Sequence, residues 1–187
     1  MTTVVIVIPD AGPLISLGHA NRLDLLTKLG LPIYITDQVA FETTRAINKP
    51  DALAIRNFLS QEPLVRIEKT STGENARLVR EAGLATGRQA GLGEASISEF
   101  LTDFEARFPD SAPLIIFEDS DVKKGKKIVV PGNAHSISTK TFIFGLAERK
   151  LISDPETIWQ SILDAGRVPM EIEIDIPGAV NGEKTNW

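Results

Sequence analysis

The sequence predicts an α/β fold in which helices cover both faces of a mostly parallel sheet. Short runs of β-branched and aliphatic residues alternate with longer segments of helical periodicity, which is the pattern of parallel strands joined by helices. Hydrophobic residues make up 42% of the 187 residues and charged residues 24%. These values suit one domain with a mostly aliphatic core. We therefore expect a single domain over residues 1–176, followed by a polar, loose tail over 177–187.

The predicted strands are short apolar runs, several of which end at turn-forming or acidic residues. The three clearest lie at residues 4–8, 32–35 and 114–117. Two weaker candidates lie at 65–67 and 128–130, and the alternating charges of 171–176 are typical of an edge strand. The first and third runs lead directly into aspartates, which suggests a site at one edge of the sheet.

Helical patterns fill the intervals between these runs. Leucines from 14 to 29 recur at helical spacing, with Gly18 as a break, and Asp37 is expected to cap a helix that runs to about residue 46. Pro50 opens another helix. The remaining predicted helices cover residues 50–59, 74–82, 93–106, 138–150 and 155–163.

Composition excludes several classes of chemistry. The chain has no cysteine, which rules out disulfides, thiolate nucleophiles and cysteine-ligated zinc. The first apolar run is too short for a signal sequence, and no stretch approaches the roughly 20 apolar residues of a membrane span, so a cytoplasmic protein without membrane contact is expected. A formal charge of −5 argues against coating of nucleic acid by bulk positive charge, but a metal pocket rich in carboxylates is compatible with it.

Two aspartates are predicted to project from one edge of the sheet. Asp10 follows the first strand and Asp119 follows the third, and ligands of open parallel sheets bind beyond the carboxyl ends of the strands. Each acid taken alone is equally well explained as a helix cap or a turn residue. The prediction therefore depends on further acids that face them.

Two helical glutamates supply such acids. Glu42 lies on or beside the packing face of its helix, where a carboxylate is costly unless it is paired or metal-bound; the ordinary alternative is an exposed glutamate paired with Arg45. Glu94 begins a helix and lies on its buried side, although a first-turn acid can also serve only the helix dipole. Together Asp10, Glu42, Glu94 and Asp119 form a carboxylate set suited to Mg²⁺ or Mn²⁺ and to metal-assisted hydrolysis of phosphodiesters.

Other features carry less weight. Lys123 and Lys124 belong to a basic run that is either a solvated turn or a contact for the phosphate backbone, and Lys140 is a weaker candidate for the same contact. Ser16 has no nearby His–Asp pattern, which gives serine chemistry no support. Trp159 is expected to pack in the core or to form part of an oligomer surface.

Several motifs resemble those of one known family. Residues 8–17 (IPDAGPLISL) closely resemble the opening of PIN-domain proteins, particularly the branches that include VapC-type toxins. Residues 39–42 (VAFE) and 93–95 (GEA) are similar to the second and third acidic segments of that family. Residues 114–119 (LIIFED) are similar to the strand that delivers the fourth acid.

The resemblance implies a three-layer α/β/α fold and an endoribonuclease that depends on Mg²⁺ or Mn²⁺. Asp10, Glu42, Glu94 and Asp119 would then be both catalytic residues and metal ligands, with Asp121 as an auxiliary ligand. The implied partners are an RNA substrate, the antitoxin protein of a toxin–antitoxin pair, and a second copy of the chain in a homodimer.

The sequence departs from the family pattern in three places, and the first two leave an alternative open, namely a catalytically inactive PIN-like binding or regulatory module. Gly12 stands where many relatives carry a hydroxyl residue. The fourth motif offers three acids, of which Asp119 is preferred and Glu118 ranks behind Asp121. The stretch 59–91 is longer than expected for a compact member and is predicted to be an insertion or a lid.

Overall fold

A five-stranded sheet lies at the centre of the computed structural model, which describes residues 3–85, 91–118, 130–169 and 187. Within these ranges every strand pairing is parallel, and the order is β3-β2-β1-β4-β5. The strands are β1 (Thr3–Pro9), β2 (Ile33–Thr36), β3 (Val65–Glu68), β4 (Ser111–Phe117) and β5 (His135–Ser138). With helices on its flanks, this sheet confirms the predicted three-layer α/β/α architecture.

The described helices follow the predicted intervals closely. They are α1 (Ala11–His19), α2 (Asp37–Thr44), α3 (Pro50–Gln61), α4 (Ser71–Glu81), α5 (Leu92–Thr102), α6 (Phe104–Arg107), α7 (Thr139–Glu148) and α8 (Pro155–Asp164), with a 3₁₀ helix at Leu23–Thr27. Across the described ranges, no helix combines the length and apolar character needed to cross a bilayer.

Strand ends cap the helices that follow them. Thr36, the last residue of β2, has extended backbone angles, and its Oγ1 accepts a hydrogen bond from the amide of Val39. The predicted cap at Asp37 was therefore wrong by one residue, because Asp37 is already helical. Ser138 ends β5 and caps α7 in the same way, by accepting from the amide of Thr141.

Some predicted boundaries differ from the structure. The helix predicted over 93–106 is divided at Asp103, which leaves α6 as a separate short helix. Of the strand predicted at 128–130, only Val130 is described, and it lies outside any strand. The edge strand predicted at 171–176 lies outside the described residues. Residues 59–85 of the long stretch contain β3, which pairs with β2, and α4.

The core fills both faces of the sheet. Residues 6–8 of β1 and 114–117 of β4 are at most 1% exposed, as expected for central strands of a covered parallel sheet. On β2, Tyr34 stacks on Phe100 of α5 at a centroid distance of 5.3 Å, and Thr36 shares a 2.7 Å hydrogen bond with Ser96. These contacts pack α5 against β2 and place Ser96 beside the carboxyl end of the strand.

The strand order creates a topological switch point between β1 and β4. The chain adds β2 and β3 on one side of β1, and β5 on the far side of β4. Right-handed connections then leave from opposite faces, and a crevice opens beyond the carboxyl ends of the two central strands. The residues that directly follow β1 and β4 border this crevice.

Candidate functional site

Asp10 directly follows β1 and is held at the switch point by its backbone. Its amide donates to the carbonyl of Ile116 in β4 at 2.9 Å, and its own carbonyl accepts from Leu14 in α1. The residue is only 7% exposed. A buried aspartate at this edge agrees with the predicted functional acid, and Asp10 is at the same time the N-cap residue of α1, the alternative role that the sequence left open.

Glu42 and the segment carrying Glu94 are brought together by the packing of α2 on α5. A Cβ atom placed on Gly93 would lie 2.9 Å from Oε2 of Glu42, so the missing side chain makes room for this carboxylate. Gln38 Nε2 donates to Glu42 Oε1 at 2.8 Å, which replaces the alternative pairing with Arg45. The Glu42 carboxylate therefore lies against the turn that presents Glu94.

Glu118 directly follows β4, and its carboxylate contacts residues from three other parts of the chain. Thr139 donates to Oε1 at 2.7 Å, while Ser16 and Arg167 donate to Oε2 at 2.8 and 3.0 Å. The Glu118 side chain is 7% exposed. With both oxygens already engaged by donors, this carboxylate serves to hold α1, β4 and α7 together.

The same side chain explains Gly12. A Cβ atom at position 12 would lie 3.0 Å from Cβ of Glu118 and 3.3 Å from its Oε2. A serine or threonine here would crowd Glu118, so the glutamate fills the space that a hydroxyl residue would need. The glycine at position 12 and the position of the Glu118 side chain are therefore linked, because a side chain at residue 12 would need the same space.

The remaining predicted residues are less closely tied to the crevice. Asp119, Asp121, Lys123 and Lys124 lie outside the described residues. The ammonium group of Lys140 lies 5.3 Å from the ring centroid of Trp159. Trp159 is 6% exposed, in agreement with a packing role.

The carboxylates fit a hard divalent cation by their chemistry, because Mg²⁺ and Mn²⁺ prefer oxygen ligands. Asp10 borders the crevice, and the Glu42 carboxylate reaches the turn that carries Glu94. Within residues 3–85, 91–118 and 130–169, no three acidic or histidine side chains are grouped closely enough to hold an ion. Asp119, the fourth acid predicted from the sequence, lies outside these ranges.

A groove between α2 and α4 adjoins Glu42 and was not anticipated from the sequence. The guanidinium of Arg80 lies 3.6 Å from the ring centroid of Phe41, and its Nη1 donates to Gln38 Oε1 at 3.3 Å. The cavity has a volume of about 470 Å³ and is lined by Asp37, Phe41, Gly73, Arg77, Arg80 and Glu81. The nearest signal in the sequence was an aromatic residue directly before Glu42.

Comparison with known families gives a match in the N-terminal part of the chain. Residues 6–96 match the family described as PIN domain. These residues belong to the PIN-domain family. The match contains Asp10, Glu42 and Glu94 and ends before Glu118. Searches of the curated proteins and of the solved structures found no match to the chain.

The family match of these residues indicates the general class of activity. PIN domains are generally nucleases, which implies a nucleic acid as substrate, and they typically use divalent metal ions. The family match therefore agrees with the chemistry of the carboxylates at the carboxyl edge of the sheet.

Proposed function

We propose that the protein is an endoribonuclease that hydrolyses RNA phosphodiester bonds with Mg²⁺ or Mn²⁺. The observation that carries this proposal is the position of Asp10, a buried acid at the switch point of a PIN-domain sheet. In the proposal, the carboxylates of Glu42 and Glu94 act from the same carboxyl edge. Such a site suits a reaction in which negative charge develops on phosphoryl oxygens.

The acids act together as ligands of one cation site in this proposal. Asp10, Glu42 and Glu94 would hold the cation, and Asp119 would complete the set with Asp121 as an auxiliary ligand. A bound divalent ion supplies an activated water and neutralises charge on the phosphate. Gln38 orients Glu42, and Glu118 holds the ends of α1, β4 and α7 that frame Asp10. Lys123 and Lys124, and more weakly Lys140, would contact the RNA backbone.

The finer biological role rests on the resemblance of residues 8–17 to VapC-type proteins. On that basis we assign the chain as the toxin of a toxin–antitoxin pair, with an antitoxin protein and a second copy as partners. Two observations test this assignment. A small DNA-binding protein should be encoded beside this chain, and that protein should suppress the RNA cleavage.

The rival function is an inactive PIN-like binding module. It is favoured by the fact that, in the part of the chain that the structure describes, three acids do not meet in one group. It is also favoured by Glu118, which occupies the space beside Gly12 with both oxygens already hydrogen-bonded.

The substitution Asp10→Asn tests the proposed activity. It removes one negative ligand while preserving shape, and cleavage of RNA with Mg²⁺ or Mn²⁺ should fall by about 10³-fold or more. Asp24→Asn is the matched control, because the Asp24 side chain is exposed on the 3₁₀ helix and pairs with Arg22 and Lys28. Full activity of Asp10→Asn would refute the assignment of this site.

Thermal unfolding with Mn²⁺ separates the two functions independently of the RNA chosen. An ion that binds the folded site at 100 times its Kd stabilises the protein by about 2.7 kcal/mol. The wild-type protein should show such a gain and Asp10→Asn should lose most of it. A wild-type protein that neither gains stability nor cleaves any RNA is the inactive module.

A further inference from the structure

We propose that the groove between α2 and α4, hereafter the Arg80 groove, binds one nucleobase of the RNA strand beside the cleavage site. This inference rests on the proposed ribonuclease function and adds a specific contact to it. The groove is the cavity lined by Asp37, Phe41, Gly73, Arg77, Arg80 and Glu81. Its volume of about 470 Å³ lies in the range of small-ligand sites and accommodates a nucleotide.

Arg80 provides a flat surface for stacking. Its guanidinium lies 3.6 Å from the centroid of the Phe41 ring, which is van der Waals contact and holds the group in place. Arg80 also lines the cavity, and in this proposal the base stacks on the guanidinium face turned away from Phe41. Unpaired RNA bases characteristically stack on arginine planes and aromatic rings, so the supported guanidinium matches that ligand.

Arg80 also supplies positive charge to the groove. Arg77 is committed to Glu74 and Glu81, with contacts of 2.7 and 2.6 Å. Within the described ranges, the hydrogen-bond acceptor of Arg80 is the neutral amide oxygen of Gln38. The groove lining carries two arginines against the two carboxylates of Asp37 and Glu81, so Arg80 offsets negative charge that would otherwise repel the RNA strand.

Asp37 offers a means of reading the base. Thr70 Oγ1 and the amide of Gln38 both donate to its Oδ1, which fixes the carboxylate at the groove wall. A Cβ atom on Gly73 would overlap this oxygen, so the carboxylate reaches its position only because residue 73 is glycine. A fixed carboxylate accepts hydrogen bonds from the exocyclic amino group of adenine, cytosine or guanine, whereas uracil offers only its N3–H group as a donor.

The groove is linked directly to the proposed catalytic acids. Gln38 is 2% exposed and bridges the two sites, since its oxygen accepts from Arg80 and its nitrogen donates to Glu42. Phe41 and Glu42 are also neighbours on α2. A base on Arg80 therefore belongs to a nucleotide close to the one whose phosphate is cleaved.

Arg80→Lys is the decisive variant, because lysine keeps the charge and removes the stacking plane. Binding is measured without catalysis, by fluorescence anisotropy in EDTA, with a labelled ten-nucleotide single-stranded RNA of mixed sequence that is chosen independently of any cleavage. Loss of one stacked base predicts binding weaker by about 5- to 150-fold. The dependence of affinity on salt should stay unchanged because the charge is kept.

Arg107→Lys is the matched control. Arg107 also places its guanidinium over a phenylalanine, at 4.9 Å from Phe100, but it does not line the groove. Phe41→Leu removes the support of Arg80 in a second way and should weaken the same binding. Thermal unfolding of each variant verifies that the comparison is made between folded proteins.

An abasic scan tests whether a base is the ligand. A series of RNAs is prepared in which one base is removed at each position in turn. For one position, removal of the base should weaken binding to the wild-type protein. Removal of that same base should leave binding to Arg80→Lys unchanged. Equal binding of intact RNA by wild type and Arg80→Lys would overturn the inference, as would an abasic effect of equal size in both proteins. Because binding is read in EDTA, this failure is distinguishable from a failure of the proposed cleavage.

Discussion

Glu118 offers the sharpest test of how the site is held together. Its carboxylate joins Ser16 of α1, Thr139 of α7 and Arg167 beyond α8, and both hydroxyl residues are fully buried. The substitution Glu118→Ala removes the acceptor of all three donors at once. The loss should therefore destabilise the folded protein even without any metal or RNA.

The size of the effect follows from burial. A buried donor left without an acceptor costs about 1–3 kcal/mol, and this applies to Ser16 and Thr139. Arg167 is 31% exposed along its side chain and can be solvated, so its share is about 1 kcal/mol or less. Together with the lost contact of the side chain against position 12, the expected cost is about 4 kcal/mol.

Glu118→Gln provides the contrast. Its amide oxygen can accept from Ser16 and Arg167, and its amide nitrogen can donate to the hydroxyl of Thr139. Only the charge is lost, so the cost should be about 1 kcal/mol.

Urea unfolding in EDTA, followed by the fluorescence of tryptophan, measures both variants, and the exposed Glu105→Ala serves as the control. A cost below about 1 kcal/mol for Glu118→Ala, or equal costs for the two variants, would show that the carboxylate does not hold these elements together.

Two further predictions concern the elements beside the site. Burial raises the pKa of Glu99, but hydrogen bonds from Thr72 and Ser71 outweigh it and lower the pKa below its usual 4.5. Glu99 therefore contributes stability that is present above pH 4.5 and is lost as the pH falls through its folded pKa. The unfolding free energy of Glu99→Gln should vary less between pH 7 and pH 3 than that of the wild-type protein. Equal variation in the two proteins would contradict this prediction. Gly73→Ala should cost about 1–3 kcal/mol in urea unfolding, because its Cβ would overlap Asp37 Oδ1; an unchanged midpoint would show that Asp37 moves freely.

The sequence alone determined the elements whose signal is local. Central strands such as β1 and β4 are covered on both faces and so read as continuous apolar runs that periodicity detects. Pro50 at the start of α3 and Asp10 after β1 are likewise recognised from the sequence, because each lies next to the element that it marks. These features are enough to predict that Asp10 lies at the carboxyl edge of a parallel sheet.

Local signals failed where polar residues alternate with apolar ones or where a helix stops without a strong breaker. The strand β5 has the sequence HSIS and carries no apolar run, so its place in the sheet depends on pairing with β4. Likewise, the break at Asp103 follows no proline or glycine, and the adjoining α6 is fixed by the packing of Phe104 against Phe100 and Phe108.

Only the tertiary structure decided the partners of the polar side chains. Ser16 and Glu118 are 102 residues apart, and Arg167 lies 151 residues from Ser16, yet the three meet beside the crevice. Arg80 likewise reaches Gln38 across 42 residues. Hydrophobic periodicity records which face of an element is buried, but it carries no information on which polar groups meet once the faces pack. For that reason the sequence identified the acid at the end of β1, while the fold determined what surrounds it.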